Sequence, residues 1–316
     1  MALLLTEDDV AKLLTMADAV EALEEVLRQQ ADGSAENLSR RRLRATGGAL
    51  HLMAGSAPGL GYVGLKAYTT FAGTARFVVM LYDARDGRLV ALVQANRLGQ
   101  IRTGAASGVA TRHLALADAS IVGIFGTGWQ ARSQLEAMRT VRSIRLVKAY
   151  GRDRERREAF CREMTASLGV EVRPVERPEE VVEGSQVVVT ATTSAQPVFD
   201  GRLLQPGTHV NAMGSNSLLK REVDATAVRR ADIVVVDSIE QAKLESGDLL
   251  GPVESGQLSW ERVRELDEVA AGRVGRRTRE EITLFESHGM GIEDVAAAAR
   301  VYERAREHQM GTGIPI

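Results

Sequence analysis

The stretch Ile121-Val122-Gly123-Ile124-Phe125-Gly126-Thr127-Gly128-Trp129-Gln130-Ala131 decides how the rest of this chain is interpreted. A short apolar run ends in Gly-x-Gly-x-x-Ala, and helix-forming residues follow, which is the context in which such a motif indicates a bound dinucleotide. Gly126 permits a tight turn, and Gly128 lets the backbone approach a pyrophosphate at the positive end of the helix. Ala131 keeps that helix close to its strand. The alternative is a glycine-rich loop in an ordinary α/β domain.

The pattern after this stretch alternates between short apolar runs and helical segments. The runs Val187–Val189 and Ile233–Val236 are continuous and β-branched, as expected for strands covered on both faces. Such alternation is typical of a parallel sheet with helices on both sides. We predict strands at residues 144–150, 170–175, 186–192, 208–213 and 232–237. The sequence therefore predicts an α/β fold, with a Rossmann-type doubly wound parallel sheet over residues 115–287.

The residues before this stretch show a different pattern. Apolar residues at helical spacing predict one or two helices over residues 6–31, and a composition rich in alanine and small residues predicts a further helix over 96–114. Alternating residues and turn signals predict strands between them, from residue 38 to 53 as a hairpin and at 62–70, 77–82 and 89–94. An amphipathic helix at 291–307 can return to pack on this segment. We therefore predict a smaller α+β domain made of residues 1–114 with 288–316.

Composition narrows the class of protein. A chain of 316 residues suggests about two domains, and a net charge of −2 gives no reason to expect nucleic acid or an anionic membrane as a partner. The single cysteine, Cys161, excludes an internal disulfide and fits a reducing compartment. The histidines show no metal-ligand spacing, so we predict no metal. No apolar run is long enough for a membrane helix and acidic residues begin at Glu7, so a cytoplasmic protein is expected.

Several short motifs, taken together, resemble one known family. In chain order they are Gly64-Leu65-Lys66, Gln100–Ser107, Gly126–Ala131, Asn211–Asn216, Glu245–Asp248 and Ser287–Met290. The set resembles the ornithine cyclodeaminase/mu-crystallin family over nearly the whole chain. The resemblance implies a nicotinamide cofactor, a homodimer, and an N-terminal domain for substrate binding and dimerisation that the final helix completes.

The resemblance implies more than one activity. Known members include ornithine and lysine cyclodeaminases, an archaeal-type alanine dehydrogenase, and ketimine or pyrroline-carboxylate reductases. We expect an NAD(P)-dependent oxidoreductase that exchanges hydride with the α-carbon of a small α-imino or α-amino acid. One alternative is ornithine cyclodeaminase activity, which forms proline and ammonia without net redox change. The other is a non-catalytic NADP-dependent protein that binds a small ligand.

Three basic residues are the main catalytic candidates that the resemblance implies. Arg102, next to Thr103, matches an arginine near the cofactor pyrophosphate and the substrate carboxylate, which suits a guanidinium because it forks onto two oxygens. Lys66 points at the substrate, where desolvation and a neighbouring arginine would lower its pKa. Arg40 is matched to the arginine that binds the substrate carboxylate. Arg42 is the rival, since it lies on the same predicted strand face.

Two positions depart from the cyclodeaminase pattern. Ornithine cyclodeaminase carries an aspartate where this chain has Asn216, and asparagine cannot act as a base. It carries a glutamate where we find His51, which can replace it as an acid–base group or serve only as a structural histidine. Both changes remove negative charge that a diamino-acid substrate would favour. The departures therefore argue against ornithine.

The end of the second predicted Rossmann strand bears on the choice of cofactor. An NAD-specific enzyme normally places an acidic residue for the ribose 2′-hydroxyl where Gly151 stands here. Arg152 follows and suits a 2′-phosphate, with Arg154 as a helper. We predict NADP(H), with NAD(H) as the alternative.

The predicted cofactor-binding residues extend along the whole chain. Threonines follow one predicted strand of the dinucleotide domain and the next strand ends in Met213, while Ser287 and Gly289 meet the nicotinamide carboxamide by resemblance. The full set is Arg102, Thr103, Gly126, Thr127, Gly128, Trp129, Gln130, Gly151, Arg152, Thr190, Ala191, Thr192, Met213, Gly214, Ser287 and Gly289.

Overall fold

The computed structural model describes residues 1–214 and 216–315, so Ser215 of the Asn211–Asn216 motif and the last residue, Ile316, lie outside the described residues. The strands are, in chain order, β1 (Ala2–Leu5), β2 (Glu36–Ala45), β3 (Gly48–Ala57), β4 (Tyr62–Phe71), β5 (Thr74–Asp83), β6 (Leu89–Gln94), β7 (Ile121–Phe125), β8 (Leu146–Tyr150), β9 (Glu171–Pro174), β10 (Val187–Thr190), β11 (His209–Ala212), β12 (Ile233–Val236), β13 (Val263–Glu265), β14 (Thr283–Glu286) and β15 (Thr312–Ile314).

In the second half of the chain the α-helices alternate with these strands. In the first half they precede and follow the run of strands β2 to β6. They are α1 (Glu7–Leu13), α2 (Met16–Ala31), α3 (Asn96–Leu114), α4 (Trp129–Val141), α5 (Arg154–Leu168), α6 (Pro178–Val182), α7 (Ala225–Arg230), α8 (Ile239–Glu245), α9 (Gly247–Glu254), α10 (Leu266–Ala270) and α11 (Gly291–Glu307). Among the described residues, no helix is both long enough and apolar enough to cross a membrane.

The chain forms two compact units. Unit 1 consists of Met1–Ala105 and Gly289–Ile316, and unit 2 of Ala106–His288. The predicted boundaries lie at 114/115 and 287/288, so the first differs by nine residues. The difference arises because α3 is one continuous helix that contains the 105/106 boundary. The separate roles of the two segments remain predictions.

Unit 1 is built on one sheet with the order β15-β1-β6-β5-β4-β3-β2. The strands β2 to β6 form antiparallel neighbours, β15 pairs antiparallel with β1, and β1 pairs parallel with β6. Helix α11 packs on β3, where a Cβ on Gly55 would lie 2.6 Å from the Cα of Ile292. This close approach brings the first turn of α11 next to the central strands of the sheet.

Unit 2 is built on an entirely parallel sheet with the order β13-β12-β14-β11-β10-β7-β8-β9. The chain runs from β7 outward to β9 on one side and then returns to β10 on the other side of β7. The order therefore reverses between β7 and β10, and ligands of doubly wound sheets bind at the carboxyl ends of the strands at such a point. This architecture confirms the predicted fold class.

Most predicted elements are present within one to three residues of their predicted ends. Predicted helix 291–307 is α11, and the hairpin from residue 38 is β2 with β3. Sequence reasoning missed β1, β13, β14 and β15. Each has only three or four residues, so little periodicity is available to identify it.

Candidate functional site

The glycine-rich turn follows β7 at the point where the sheet of unit 2 reverses. Gly126 has φ +103°, in the region that favours glycine, and a Cβ there would lie 2.3 Å from the carbonyl oxygen of Ala191. Gly128 is the N-cap of α4, and a Cβ on it would meet no described atom within 4 Å. The turn therefore has an open side and begins a helix whose N-terminal end favours anions. These features fit a pyrophosphate.

The remaining residues of the predicted fingerprint lie around this turn. Thr127 is half-buried beside Gly151. A Cβ on Gly151 would lie 3.1 Å from the Thr127 side chain. Trp129 is 48% exposed in the first turn of α4, and Ala131 is fully buried against the core. The side chain of Gln130 accepts a hydrogen bond from Ser133 Oγ at 3.3 Å. Unit 2 therefore brings the 126–131 residues and Gly151 together.

The end of β8 carries the arginines predicted to read the ribose. Arg152 is exposed, and no ion pair to it is found among residues 1–214 and 216–315. Arg154 pairs with Glu158 at 2.8 Å on the surface of α5. Arg157, which sequence reasoning did not single out, is buried, and its guanidinium donates to the carbonyl oxygen of Gly151 at 2.9 Å. Arg157 thus fixes the backbone at the predicted 2′-phosphate position.

The ends of β10 and β11 lie side by side next to the turn. Ala191 N donates to the carbonyl oxygen of Phe125 at 2.8 Å, and Met213 N donates to that of Thr190 at 3.1 Å. Thr192 N and Gly214 N both donate to the buried carboxylate of Glu222, at 2.6 Å each. The five residues predicted on this edge, Thr190, Ala191, Thr192, Met213 and Gly214, are therefore brought together.

The end of β14 carries a buried charged group that sequence reasoning missed. His288 lies with Nδ1 3.4 Å from Asp237 Oδ1 and Nε2 3.2 Å from Glu286 Oε1. Burial lowers the pKa of His288, but its contacts with both carboxylates outweigh burial and raise it to about 10. The imidazole is therefore charged at neutral pH. Ser287 Oγ donates to Asp237 at 3.2 Å, so Asp237 orients the side chain that we predict to meet the nicotinamide carboxamide.

Unit 1 contains a second buried charged group, which we call the charged cluster: Arg40, Lys66, Arg102, Glu293 and Asp294. Lys66, on β4, is 3% exposed, and its Nζ donates to Asp294 Oδ1 at 2.9 Å. Burial lowers the pKa of Lys66, Asp294 raises it, and Arg102 and Arg40 lower it further, so that the pKa is about 8. The predicted direction of the shift and its predicted causes are thus present.

Arg102 lies on α3 with its guanidinium in the charged cluster. Its Nε donates to Asp294 Oδ1 at 3.0 Å, and one terminal nitrogen donates to Glu293 Oε2 at 2.9 Å. Gly289 has φ +81°, and a Cβ there would lie 2.7 Å from the Arg102 guanidinium. Thr103 Oγ1 donates to the carbonyl oxygen of Gly99 within the same helix, at 2.7 Å. The formal charges, three positive and two negative, leave the charged cluster net positive.

The structure distinguishes Arg40 from its rival Arg42. Strand β2 has an irregular register, in which Leu38 pairs with Ala54 but Arg41 pairs with Leu52. Three residues along β2 therefore match two along β3. Because of this extra residue, the side chains on either side of the irregularity do not follow the simple alternation between the two faces of the sheet. Arg40 is 7% exposed and donates to the carbonyl oxygen of Gly289 at 3.4 Å, whereas Arg42 is exposed. These positions support Arg40 as the candidate.

The two positions that depart from the cyclodeaminase pattern lie in different surroundings. His51 is buried, stacks on Tyr68 with ring centroids 4.2 Å apart, and has Nε2 2.9 Å from Thr70 Oγ1. Asn216 is exposed, and its Oδ1 accepts a hydrogen bond from Lys220 Nζ at 3.3 Å. The stacking of His51 is compatible with the structural alternative stated above.

Sequence reasoning missed the acidic partners in both units. Glu293 and Asp294 form an adjacent acidic pair in the first turn of a helix that is otherwise mostly apolar and buried. The acidic pair directly before the apolar run 295–299 was the available signal in the sequence, and in the structure both side chains are fully buried, which is unusual for charged residues. Glu222 and Asp237 carry no comparable pattern in the sequence. Among residues 1–214 and 216–315, no group of three or more His, Cys, Asp or Glu could hold a metal ion.

Comparisons with known proteins agree with the motifs. The ornithine cyclodeaminase/mu-crystallin family matches residues 1–309. The chain is 36% identical over 324 residues to the alanine dehydrogenase of Archaeoglobus fulgidus, covering 99% of this chain and 98% of the relative. The structure of Thermococcus litoralis Delta(1)-pyrroline-2-carboxylate reductase with NADH and L-proline superimposes with a TM-score of 0.94 at 34% identity, covering 99% of this chain and 100% of that one.

A second solved structure bears on cofactor and assembly. An archaeal alanine dehydrogenase dimer with bound NAD superimposes with a TM-score of 0.93 at 34% identity, covering 99% of each chain. The similar proteins are enzymes of small amino and imino acids, and those with a bound cofactor carry a nicotinamide dinucleotide. The predicted family, fold class and enzyme class are confirmed. The chain belongs to the ornithine cyclodeaminase/mu-crystallin family.

Proposed function

We propose that this protein is an NAD(P)-dependent oxidoreductase that exchanges hydride with the α-carbon of a small α-imino or α-amino acid. The observation that carries the proposal is the charged cluster, where a buried lysine with a pKa of about 8 lies among two arginines and two carboxylates. Alanine, for which the Archaeoglobus fulgidus dehydrogenase is named, and L-proline, which is bound in the Thermococcus litoralis reductase, each carry a nitrogen on the carbon next to a carboxylate. We propose that this carbon, the α-carbon, is the one that exchanges hydride.

The net positive charge of the charged cluster favours a substrate carboxylate. Arg40 and Arg102 have guanidinium groups of fixed charge in buried surroundings, where a carboxylate is attracted more strongly than in water. Glu293 and Asp294 fix the direction of the Arg102 guanidinium by accepting from two of its nitrogens. The substrate carboxylate is thereby oriented by the two arginines, and this orientation places the α-carbon of the substrate for reaction.

Lys66 supplies the proton chemistry in this proposal. Reduction of a C=N bond adds hydride to carbon and a proton to nitrogen, and oxidation reverses both. A group with a pKa near the working pH serves either direction, because it is able to donate in one and accept in the other. Gly99 makes room for this side chain, since a Cβ at that position would lie 3.2 Å from Lys66 Nζ.

The residues of unit 2 fit the cofactor. The turn of Gly126 to Trp129 would bind the pyrophosphate, Arg152 the adenosine ribose, and the ends of β10 and β11 the nicotinamide side. When bound, a nicotinamide dinucleotide supplies or accepts the hydride, and the protein contributes position and charge. A homodimer, as in the archaeal alanine dehydrogenase, belongs to the same proposal.

The experiment is a substrate panel with purified protein. Cyclic imines that carry a carboxylate, and α-keto acids with amines, are each mixed with NADPH, and absorbance of the reduced nicotinamide is followed. We expect stoichiometric loss of NADPH with at least one imino acid, and we expect Lys66→Ala to lower kcat by about 10²-fold, the usual loss for a general acid–base group. The matched control is Lys12→Ala, which changes an exposed lysine of unit 1.

Two other outcomes would contradict the proposal and select an alternative. Proline and ammonia formed from ornithine with only catalytic NAD would identify a cyclodeaminase. Tight binding of NADPH and of an imino acid without turnover would identify a non-catalytic binding protein.

The proposed cofactor is NADP(H) rather than NAD(H). The support is the absence of an acidic side chain at Gly151 and the presence of exposed Arg152 directly after it. We expect a lower Kd for NADPH than for NADH, and we expect Arg152→Ala to weaken NADPH about tenfold with little effect on NADH. Arg162→Ala, an exposed arginine further along α5, is the matched control. Equal or tighter binding of NADH by the unchanged protein would contradict this choice.

A further inference from the structure

Glu222 is a fully buried carboxylate that connects two neighbouring strand ends of unit 2. Its Oε2 accepts from Thr190 Oγ1 at 2.9 Å and from Gly214 N at 2.6 Å. Its Oε1 accepts from Thr192 N at 2.6 Å. Both oxygens therefore bind donors from the end of β10, and one of them also binds the segment that follows β11.

The two connected segments pack closely against each other and against Glu222. A Cβ on Gly214 would lie 2.2 Å from the carbonyl oxygen of Thr192 and 2.6 Å from Cδ of Glu222. Thr190, Thr192 and Gly214 are residues that we assign to the nicotinamide side of the cofactor. They lie at or just beyond the ends of β10 and β11, close to the point where the strand order reverses and ligands of such sheets bind.

Glu222 is itself fixed by a second buried carboxylate. Asp248 Oδ1 accepts from the backbone nitrogens of Glu222 at 2.7 Å and Val223 at 3.0 Å. Gly247, the residue before Asp248, has no room for a side chain, because a Cβ would lie 1.9 Å from the carbonyl oxygen of Lys220. The Glu245–Asp248 motif thus has a local structural role, which is to fix the backbone that carries Glu222.

Glutamine cannot replace the Glu222 carboxylate, although its shape is nearly the same. An amide has one acceptor oxygen, and its NH₂ group is a donor. One backbone N–H, of Thr192 or of Gly214, would then face another donor. A buried donor without an acceptor is costly, so the segment that carries it would move.

We propose that Glu222 is a positioning residue for the nicotinamide half of the cofactor. It acts through Thr190, Thr192 and Gly214, and its carboxylate fixes the two segments on which that half of the cofactor rests. The adenosine and pyrophosphate are bound through other residues, at the Gly126 turn and at Arg152. This inference rests on the proposed nicotinamide-dependent function.

The test compares two ligands by titration calorimetry. One is NADPH, or NADH if the unchanged protein binds it more tightly, and the other is the matching ADP-ribose, which lacks nicotinamide. Glu222→Gln is expected to weaken the reduced cofactor about tenfold, because a buried hydrogen bond is lost, and to leave ADP-ribose within about twofold. Glu265→Gln is the matched control, since Glu265 lies on the edge strand β13 and accepts from Ile239 N at 2.6 Å.

Each other result overturns the proposal in a distinguishable way. The role of Glu222 would be contradicted, and the proposed function would stand, if Glu222→Gln left the Kd of each ligand as it is in the unchanged protein. The same holds if Glu222→Gln weakened both ligands equally. Failure of the unchanged protein to bind any nicotinamide nucleotide would overturn the proposed function as well. If Glu222→Gln does not fold, Asp248→Ala replaces it, because loss of that carboxylate frees the Glu222 backbone and predicts the same selective loss.

Discussion

Lys66 shows how one residue can be both buried and ionisable. Its amino group lies 5.1 Å from the ring centroid of Phe77 and 5.9 Å from that of Tyr68, so aromatic faces replace part of the lost water. Asp294 accepts a hydrogen bond from this amino group and supplies the compensating charge, which keeps the pKa of Lys66 from falling further. A lysine of this kind changes its charge state close to neutral pH.

This arrangement predicts the pH dependence of the reaction. Below pH 8 Lys66 is charged and donates a proton, so the rate of imine reduction is level, and it falls as the pH rises through about 8. In the direction of amine oxidation the rate increases as the pH rises through the same value, because neutral Lys66 accepts the proton. The measurement is kcat against pH in both directions.

Asp294→Asn tests the cause of that inflection. Asp294 raises the pKa of Lys66, so its removal lowers the pKa and moves the inflection to a lower pH by about one unit. Asp83→Asn is the control, because Asp83 is a buried carboxylate of the same unit whose partner is Arg85. An inflection that does not move in Asp294→Asn would contradict the assignment to Lys66.

Single residues were only partly predictable from the sequence. Motifs pointed to Lys66 and Arg102, and the spacing to the following hairpin strand pointed to Arg40, but a lysine in a strand among apolar residues is more often solvated. The choice between Arg40 and Arg42 depended on the register irregularity of β2, which no spacing in the sequence reveals. Glu222 was invisible for a similar reason, since its donors lie on two other segments.

At the scale of elements, parallel strands bring distant acidic residues to one edge. Val236 at the end of β12 pairs with Glu286 at the end of β14, so Asp237 and His288 lie just beyond neighbouring strand ends. His288 and both carboxylates are buried, and Ser246 Oγ donates to Glu286 at 2.7 Å. The charged imidazole therefore compensates two carboxylates that would otherwise destabilise the folded sheet.

His288→Gln is expected to destabilise the protein in a pH-dependent way. The folded pKa of about 10 lies above the ordinary value of 6.5, so the stabilisation is fully present below pH 6.5 and is lost as the pH rises through 10. Removing one partner of a buried ion pair costs on the order of 3 kcal/mol. The difference in unfolding free energy between the unchanged protein and the variant should therefore shrink from pH 6.5 to 10.

Chemical denaturation at several pH values measures that difference. His308→Gln, which changes an exposed histidine at the end of α11, is expected to have little effect at any pH. A destabilisation by His288→Gln that is constant over this range would contradict a charged imidazole.

Elements were predictable where they are long or strongly patterned. The helices α3 and α11 have their predicted bounds, because α3 is rich in alanine and other small residues and because apolar residues recur at helical spacing in α11. β14 was missed because Thr283–Glu286 has only four residues and ends in an acid, while its partners β11 and β12 come from other parts of the chain. Short central strands are defined by their neighbours rather than by their own sequence.

The whole molecule is a chain that completes its first unit with its last segment. α11 contributes Glu293 and Asp294 to a site whose cations come from residues 40, 66 and 102, so unit 1 needs both ends of the chain. The resemblance to the family predicted this return, whereas periodicity alone showed only that the last helix has one apolar face. Substrate identity stayed open, because it depends on side chains without a readable pattern.

The central claim is that hydride passes between a nicotinamide cofactor and the α-carbon of an imino acid. The most direct measurement uses NADPH that carries deuterium in the transferable position at C4 of the nicotinamide, with the imino acid that the panel identifies. Mass spectrometry and NMR of the product should show about one deuterium per molecule, located on the α-carbon. A product without deuterium at that carbon would contradict the account.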